Sequence, residues 1–257
     1  MGYSMLRRWM STSWHKFAVV EPASELRAKA AYTGAEAYSS ATDLPASFIA
    51  DVVIIATKPQ AVAQAVATYA PLIADHGLII SIAAGVNLRT IEANVTREIA
   101  VIRCMPNMPA SIGESMTVCC ASQGATPDQL LLSEDLMSAI GKVMFIEDEG
   151  DMDAVTAVSG SGPAYLFHFI EALAEAGRAA GLEVSLALAL SRQTVLGAAR
   201  LATEVDLPPE ELRRQVTSPN GTTAAAMEVL MNVPGGLQDN LTRAVLAAKA
   251  RSVELSR

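Results

Sequence analysis

Aromatic side chains make up only 5% of the 257 residues, too few for a platform that stacks nucleic-acid bases. Positive charge is also short. The 19 Lys and Arg stand against 27 Asp and Glu, a formal net charge of −8, and no basic block occurs along the chain. Nucleic acid and anionic membranes are therefore poor partners. No apolar run approaches the ~20 residues that span a bilayer. Arg7 and Arg8 near the start have no apolar stretch behind them, which reads as no secretory signal. Cys104, Cys119 and Cys120 match no metal spacing, and neighbours in a strand point to opposite faces. They read as reduced core thiols of a cytoplasmic protein with no metal site. His15, His76 and His168 lack the Ser, Cys or carboxylate pattern of a triad, and Ser161 lacks the elbow glycine because Ser159 stands there. The acidic run 147–151 fails the calcium-loop register and reads as a solvated linker.

What is present falls into two textures. Short apolar strands alternate with helices as far as Asp148: strands near Lys16–Val20, Glu36–Ser39, Asp51–Ala56, Gly77–Ile82, Ile99–Met105, Met116–Cys120 and Val143–Ile146. Uninterrupted apolar strands are buried on both faces, so residues 1–148 read as an α/β, Rossmann-type domain with a largely parallel sheet. Beyond Asp148 there are only Ala- and Leu-rich helical periods, and residues 149–257 read as an all-helical domain. Leu186–Leu190 is apolar all round and must be covered, which a helical domain of this size does by packing on a second copy of itself.

In an open α/β sheet, ligands bind beyond the carboxyl ends of the strands. Those ends are Val20-Glu21-Pro22, Ala56-Thr57-Lys58-Pro59, Ala83-Ala84-Gly85 and Met105-Pro106-Asn107, rich in small residues and proline. Together they suit a nucleotide crevice. Glu21 can accept hydrogen bonds from ribose hydroxyls and repel a 2′-phosphate, a lean towards NADH over NADPH. A dinucleotide domain begins with a strand and G-x-G-x-x-G. Here Met1-Gly2 opens directly into a helix; Gly2 reads as the third glycine of that fingerprint, with the first strand and the first two glycines missing, the alternative being that Met1 is simply a start and nothing is missing.

The second candidate site is Val216-Thr-Ser-Pro-Asn-Gly-Thr-Thr-Ala-Ala-Ala226, a turn feeding an alanine-rich helix. Pro219 fixes one backbone angle and Asn220-Gly221 tolerates positive φ. The amides of Gly221, Thr222 and Thr223 lie at the positive end of the helix dipole, where a carboxylate can be held. Ser159-Gly160-Ser161-Gly162 is another glycine-rich helix start, with Pro163 suited to the first turn.

With Asp153–Tyr165 (DAVTAVSGSGPAY) and Thr217–Thr223 (TSPNGTT), and with ATKP at 56–59, SIAAG at 81–85, RCMPNMP at 103–109 and QTVLGAA at 193–199, the chain resembles pyrroline-5-carboxylate reductase over its whole length. The resemblance implies an NAD(P)H-dependent reductase of proline biosynthesis, with a Rossmann domain and an interlocked helical dimer that can assemble into a decamer. The substrate is a five-membered cyclic imine carrying a carboxylate. It implies Thr223 as the hydrogen-bond donor at the imine nitrogen and Ser159, Gly160, Ser161 and Gly162 as lining for the substrate pocket. It places Asp206 where the family has Glu near the substrate. It turns Val216, Thr217, Ser218, Ala56, Thr57, Lys58, Pro59 and Ala84 towards NADPH or NADH. Two other readings compete. One is a non-catalytic dimerising homologue. The other is a 3-hydroxy acid dehydrogenase of similar fold, which uses a Lys in the helical domain; Lys249 is the only Lys there.

Overall fold

The computed structural model describes residues 1–12 and 14–255, and Ser13, Ser256 and Arg257 lie outside the description. The chain forms two compact units, Met1–Ser161 with Ala248–Arg257, and Gly162–Ala247.

The first unit opens with helix α1 (Gly2–Thr12), followed by β1 (Ala18–Val20), α2 (Ser24–Tyr32) and β2 (Glu36–Tyr38). β1 and β2 form a two-stranded parallel sheet of their own. Then come β3 (Ala50–Ile55), α3 (Val62–Tyr69), β4 (Ile73–Ser81), α4 (Leu88–Glu92), β5 (Ala100–Met105), β6 (Ser115–Ala121), α5 (Pro127–Ser138) and β7 (Gly141–Phe145). These five strands form a second sheet in chain order, β3 to β7. All its pairs are parallel except β5–β6, which is antiparallel. The largely parallel sheet expected from the strand–helix alternation thus has one reversal. Its cause is the connection: β5 returns through a short 3₁₀ turn, Met108–Ile112, and only antiparallel neighbours can be joined without a long crossover.

The sheet is buried on both faces. Leu78 and Ile80 of β4 pack with Ile102, Met5 and Trp9 of α1, and Leu136 and Met137 of α5. Ile79, one residue out of phase, packs on the other face with Val101, Val62 and Val66 of α3, and Ile91 of α4. Trp9 also donates its indole N–H to the Leu136 carbonyl at 2.6 Å, tying α1 to α5. The cysteines divide as the strand period requires: Cys119 lies in the first cluster and Cys120 in the second. Cys119 Sγ and Cys104 Sγ share a hydrogen bond at 3.1 Å across the β5–β6 pair. That hydrogen bond, and then burial, hold the Cys104 thiol well above its ordinary pKa, so it stays protonated.

The change in sequence texture and the change in packing do not coincide. Residues 149–161 lie beyond Asp148, where the texture changes, yet belong to the first unit. They comprise a short 3₁₀ turn, α6 (Met152–Val155) and a π-helical turn, Thr156–Gly160. Glu149 Oε1 accepts from Arg103 at 2.8 Å and from the Leu88 amide at the start of α4 at 2.9 Å. Asp153 accepts from the Ser252 hydroxyl at 2.6 Å.

The second unit contains α7 (Gly162–Ala179), α8 (Val184–Glu204), α9 (Pro209–Gln215), α10 (Thr222–Leu230) and most of α11 (Leu237–Leu255). α7 and α8 pack together, with Gly177 close to Ala187. Otherwise this unit has little core: α7, α9 and α10 bury no residue, and α8 buries only Ala187 and Ser191. Leu186 and Leu190 are each 48% exposed within the chain, so the all-round apolar stretch is not covered by its own unit.

The Arg103 side chain is 6% exposed and Glu149 26%, so removing the acid strands a buried guanidinium, which costs about 3 kcal/mol. Glu149→Ala should lower the melting temperature by roughly 6–12 °C in thermal unfolding at fixed protein concentration. An unchanged melting temperature would show that the pair contributes nothing.

Candidate active site

Ile55, Ser81 and Arg103 lie in register near the carboxyl ends of β3, β4 and β5. The pairing runs one step further, where the Ile82 amide donates to the Ile55 carbonyl at 3.0 Å. Beyond that line the backbone turns outward, and Ala56, Thr57, Lys58, Pro59 and Ala84 are all exposed. Gly2, the first residue of α1, sits directly against this edge: a Cβ on it would lie 3.1 Å from the Ala56 Cβ. The edge is thus flanked by a helix N-terminus and built mostly from small residues with one lysine, which suits an anionic, flat ligand.

Glu21 lies just past β1, with its amide on the Tyr38 carbonyl at 2.9 Å. One carboxylate oxygen accepts from the Ala23 amide at 2.9 Å, beside the start of α2. The Arg27 guanidinium donates to the carbonyls of Glu21 and Pro22 at 2.9 and 3.0 Å, which fixes the turn that carries Glu21. These residues fit the adenosine end of a dinucleotide, with an acid for ribose hydroxyls at the end of the strand.

Ser159, Gly160 and Ser161 are half-buried in the first unit. The Ser161 amide donates to the Thr156 carbonyl at 2.9 Å, the wide turn of a π-helix, a feature that often marks functional sites. Asn107, just past β5, donates from Nδ2 to the Ser159 carbonyl at 3.1 Å and to Ser159 Oγ at 3.3 Å. The sequence reading gave this side chain no role: Asn107 marked a strand end and stood within the motif at 103–109. The signal was there: a side chain with both donor and acceptor, between two prolines.

The other named residues belong to the second unit. Gly162 opens α7, and Asp206 is exposed beyond the end of α8. Val216 is 65% exposed, and the Thr217 hydroxyl donates to the Arg213 carbonyl at 2.7 Å, closing α9. Ser218 to Gly221 is a turn in which Asn220 takes φ 57°, the left-handed conformation expected of it. Gly221 does not share that conformation; it is the N-cap of α10, and a Cβ there would meet Ser218 Oγ at 2.4 Å. Its own amide already donates to the Ser218 carbonyl at 3.0 Å. That leaves the Thr222, Thr223 and Ala224 amides as the orphan donors of the helix start, since Ala225 is the first to reach back to the Gly221 carbonyl. Thr223 is half-buried, and among the described residues its hydroxyl makes no hydrogen bond. No cluster of three or more His, Cys, Asp or Glu able to hold a metal occurs among the described residues, and no helix there is long and apolar enough to cross a membrane.

A parallel-stranded α/β unit with this edge, followed by a helical unit, has the layout of NAD(P)-dependent oxidoreductases of the Rossmann-plus-helical class. The comparisons narrow the class. Residues 149–255 match the family model for pyrroline-5-carboxylate reductase dimerisation. The chain is 42% identical over 207 residues to the pyrroline-5-carboxylate reductase of Pseudomonas aeruginosa, covering 80% of this chain and 75% of that protein. With the Synechocystis enzyme of the same name it shares 43% over 212 residues, 82% and 78% of the two chains. Among solved structures, a pyrroline-5-carboxylate reductase from Coxiella burnetii superposes with a TM-score of 0.91 at 32% identity, covering 100% of this chain and 95% of the other. The Plasmodium falciparum enzyme, solved with NADP bound, gives 0.82 at 27% identity, covering 99% and 94%. The chain belongs to the pyrroline-5-carboxylate reductase family, NAD(P)H-dependent oxidoreductases that make L-proline in the last step of its biosynthesis.

The left-handed turn before α10 gives a test. Asn220→Gly should leave stability to urea within about 0.5 kcal/mol of wild type, and Asn220→Val should lower it by about 2 kcal/mol. Equal behaviour of the two variants would contradict the conformation assigned to Asn220.

Proposed function

We propose that this chain reduces the C=N bond of 1-pyrroline-5-carboxylate to give L-proline, using the start of α10 to hold and orient the imine. The observation that carries this reading is the row of orphan amides from Thr222 to Ala224 behind the left-handed Asn220, with the Thr223 hydroxyl beside them. A helix start of this kind takes the substrate carboxylate. NADPH or NADH, when bound, supplies the hydride that adds to the imine carbon. As that C–H bond forms, the nitrogen gains an electron pair and needs a proton. Addition is easiest when the nitrogen is already protonated, because the transition state then neutralises charge. Thr223 donates a hydrogen bond at the nitrogen. A Thr hydroxyl is too weak an acid to supply the proton unaided, so it orients the imine and relays a proton.

Ser159, Gly160, Ser161 and Gly162 are assigned to the substrate, as is Asp206, which reaches one methylene less than Glu. Gly2 with the start of α1, Glu21, Ala56 to Pro59, Ala84, Val216, Thr217 and Ser218 are assigned to the dinucleotide. Residues 1–148 act as the cofactor domain and 149–257 as the substrate and dimerisation domain. The exposed apolar faces of α7, α8 and α10 support a homodimer as the working unit; a decamer is the further assembly that the family resemblance allows. The buried thiols suit a cytoplasmic enzyme.

Thr223→Ala should lower kcat for imine-dependent NADPH oxidation about 100-fold, with the cofactor dissociation constant unchanged and Thr223→Ser near wild type. Activity of Thr223→Ala within twofold of wild type would remove Thr223 from the chemistry. Glu21→Ser should shift the ratio of NADPH to NADH affinity towards NADPH by about tenfold in fluorescence titrations, by relieving charge repulsion at the ribose. An unmoved ratio would place the ribose elsewhere.

A further inference from the structure

We propose that Asn107 is a positioning residue of the reductase, setting the Ser159 hydroxyl as a hydrogen-bond donor towards the substrate carboxylate. The proposal rests on the assignment of Ser159 to the substrate.

The Asn107 side chain is fixed at both ends by groups of unambiguous sense. Its Oδ1 accepts from the Met116 amide at 3.1 Å, and a backbone N–H can only donate. Its Nδ2 faces the Ser159 carbonyl at 3.1 Å, and a carbonyl can only accept. The amide therefore has one orientation, with no freedom to flip. Behind it stands a buried hydroxyl platform: Ser115 Oγ donates to Asn107 Oδ1 and accepts from the Asn107 amide, both at 3.1 Å, and lies 3.3 Å from Thr117 Oγ1. Ser115 and Thr117 are 3% and 0% exposed.

Ser159 needs this support for a reason visible in the sequence. In a continuing α-helix its carbonyl would accept from the amide four residues on, but that residue is Pro163, which has no N–H. The Asn107 Nδ2 supplies the missing donor. Its second hydrogen points to Ser159 Oγ at 3.3 Å, so the hydroxyl oxygen is used as an acceptor and its proton is left to give. The protein acceptor for that proton, the Met116 carbonyl, lies at 3.5 Å, the weak limit of a hydrogen bond. A carboxylate is a stronger acceptor and takes the proton in preference.

The test is a double-mutant cycle on Asn107→Ala and Ser159→Ala, read as KM for pyrroline-5-carboxylate, kcat, and the NADPH dissociation constant by fluorescence. Each single variant should raise KM about tenfold, the size of one lost hydrogen bond to a charged group. kcat should fall no more than about threefold and the NADPH constant should hold within about twofold, since the lost contact is to bound substrate. The double variant should be no worse than either single variant. Should Asn107→Ala fail to fold, Asn107→Ser keeps an acceptor for the Met116 amide and should give the same KM. If Ser159→Ala raises KM and the Asn107 variants do not, the positioning role is overturned and the assignment of Ser159 stands. If Ser159→Ala leaves KM unchanged, the assignment itself falls and the proposal with it. Additive effects in the double variant, or a loss of NADPH affinity as large as the rise in KM, would make Asn107 a structural residue only.

Discussion

A guanidinium in the middle of a buried strand constrains everything around it. Arg103 is 5% exposed, flanked along β5 by Ile102 and Cys104, both in the core. Desolvating that charge is costly unless a carboxylate meets it with good geometry. Glu149 meets Nη1 at 2.8 Å, and the same oxygen accepts from the first amide of α4, while Arg103 Nη2 has no partner among the described residues. The route of the chain after β7 is thereby fixed. Met152 then enters the core, α6 follows, and the π-helical turn arrives where Asn107 can hold Ser159. The Arg103–Glu149 pair thus sets the path of a segment assigned to the substrate.

The two units solve different burial problems. The α/β unit covers its strands on both faces from within, with large apolar residues alternating from one face to the other along β4 and β5. The helical unit does not. Phe167, Leu186, Leu201 and Val229 are between 48% and 73% exposed. Apolar surface on that scale, on a domain that matches a dimerisation model, is the mark of a surface meant for another copy. Stability of the helical unit is then bound to assembly, and the start of α10 inherits that dependence.

Much of this was legible from residues alone. The run DVVII and the run GLIIS gave β3 and β4, because only a doubly covered strand can be apolar at every position. Asn220 was readable as the left-handed residue, because Asn tolerates that conformation where most side chains do not. The Ser-Pro-Asn-Gly-Thr-Thr turn was readable as a helix start for the same reason. Other features depend on contacts distant in sequence. The reversal at β6 follows from how a proline-containing turn packs, and hydrophobic period does not report strand direction. The side-chain clamps from Arg103 to Glu149 and from Asn107 to Ser159 join residues dozens of positions apart. They moved the packing boundary past the acidic run, whose composition had marked the change of texture. Gly221 shows the finer limit: a glycine next to Asn suggested positive φ, but close approach to Ser218 is what requires it.

The most direct test of the account is to supply pyrroline-5-carboxylate with NADPH deuterated at the transferring position and to follow the product by mass spectrometry and NMR. The account predicts L-proline carrying one deuterium at C5, the former imine carbon, formed in step with cofactor oxidation. Folded, oligomeric protein that oxidises no cofactor and yields no labelled proline would contradict it.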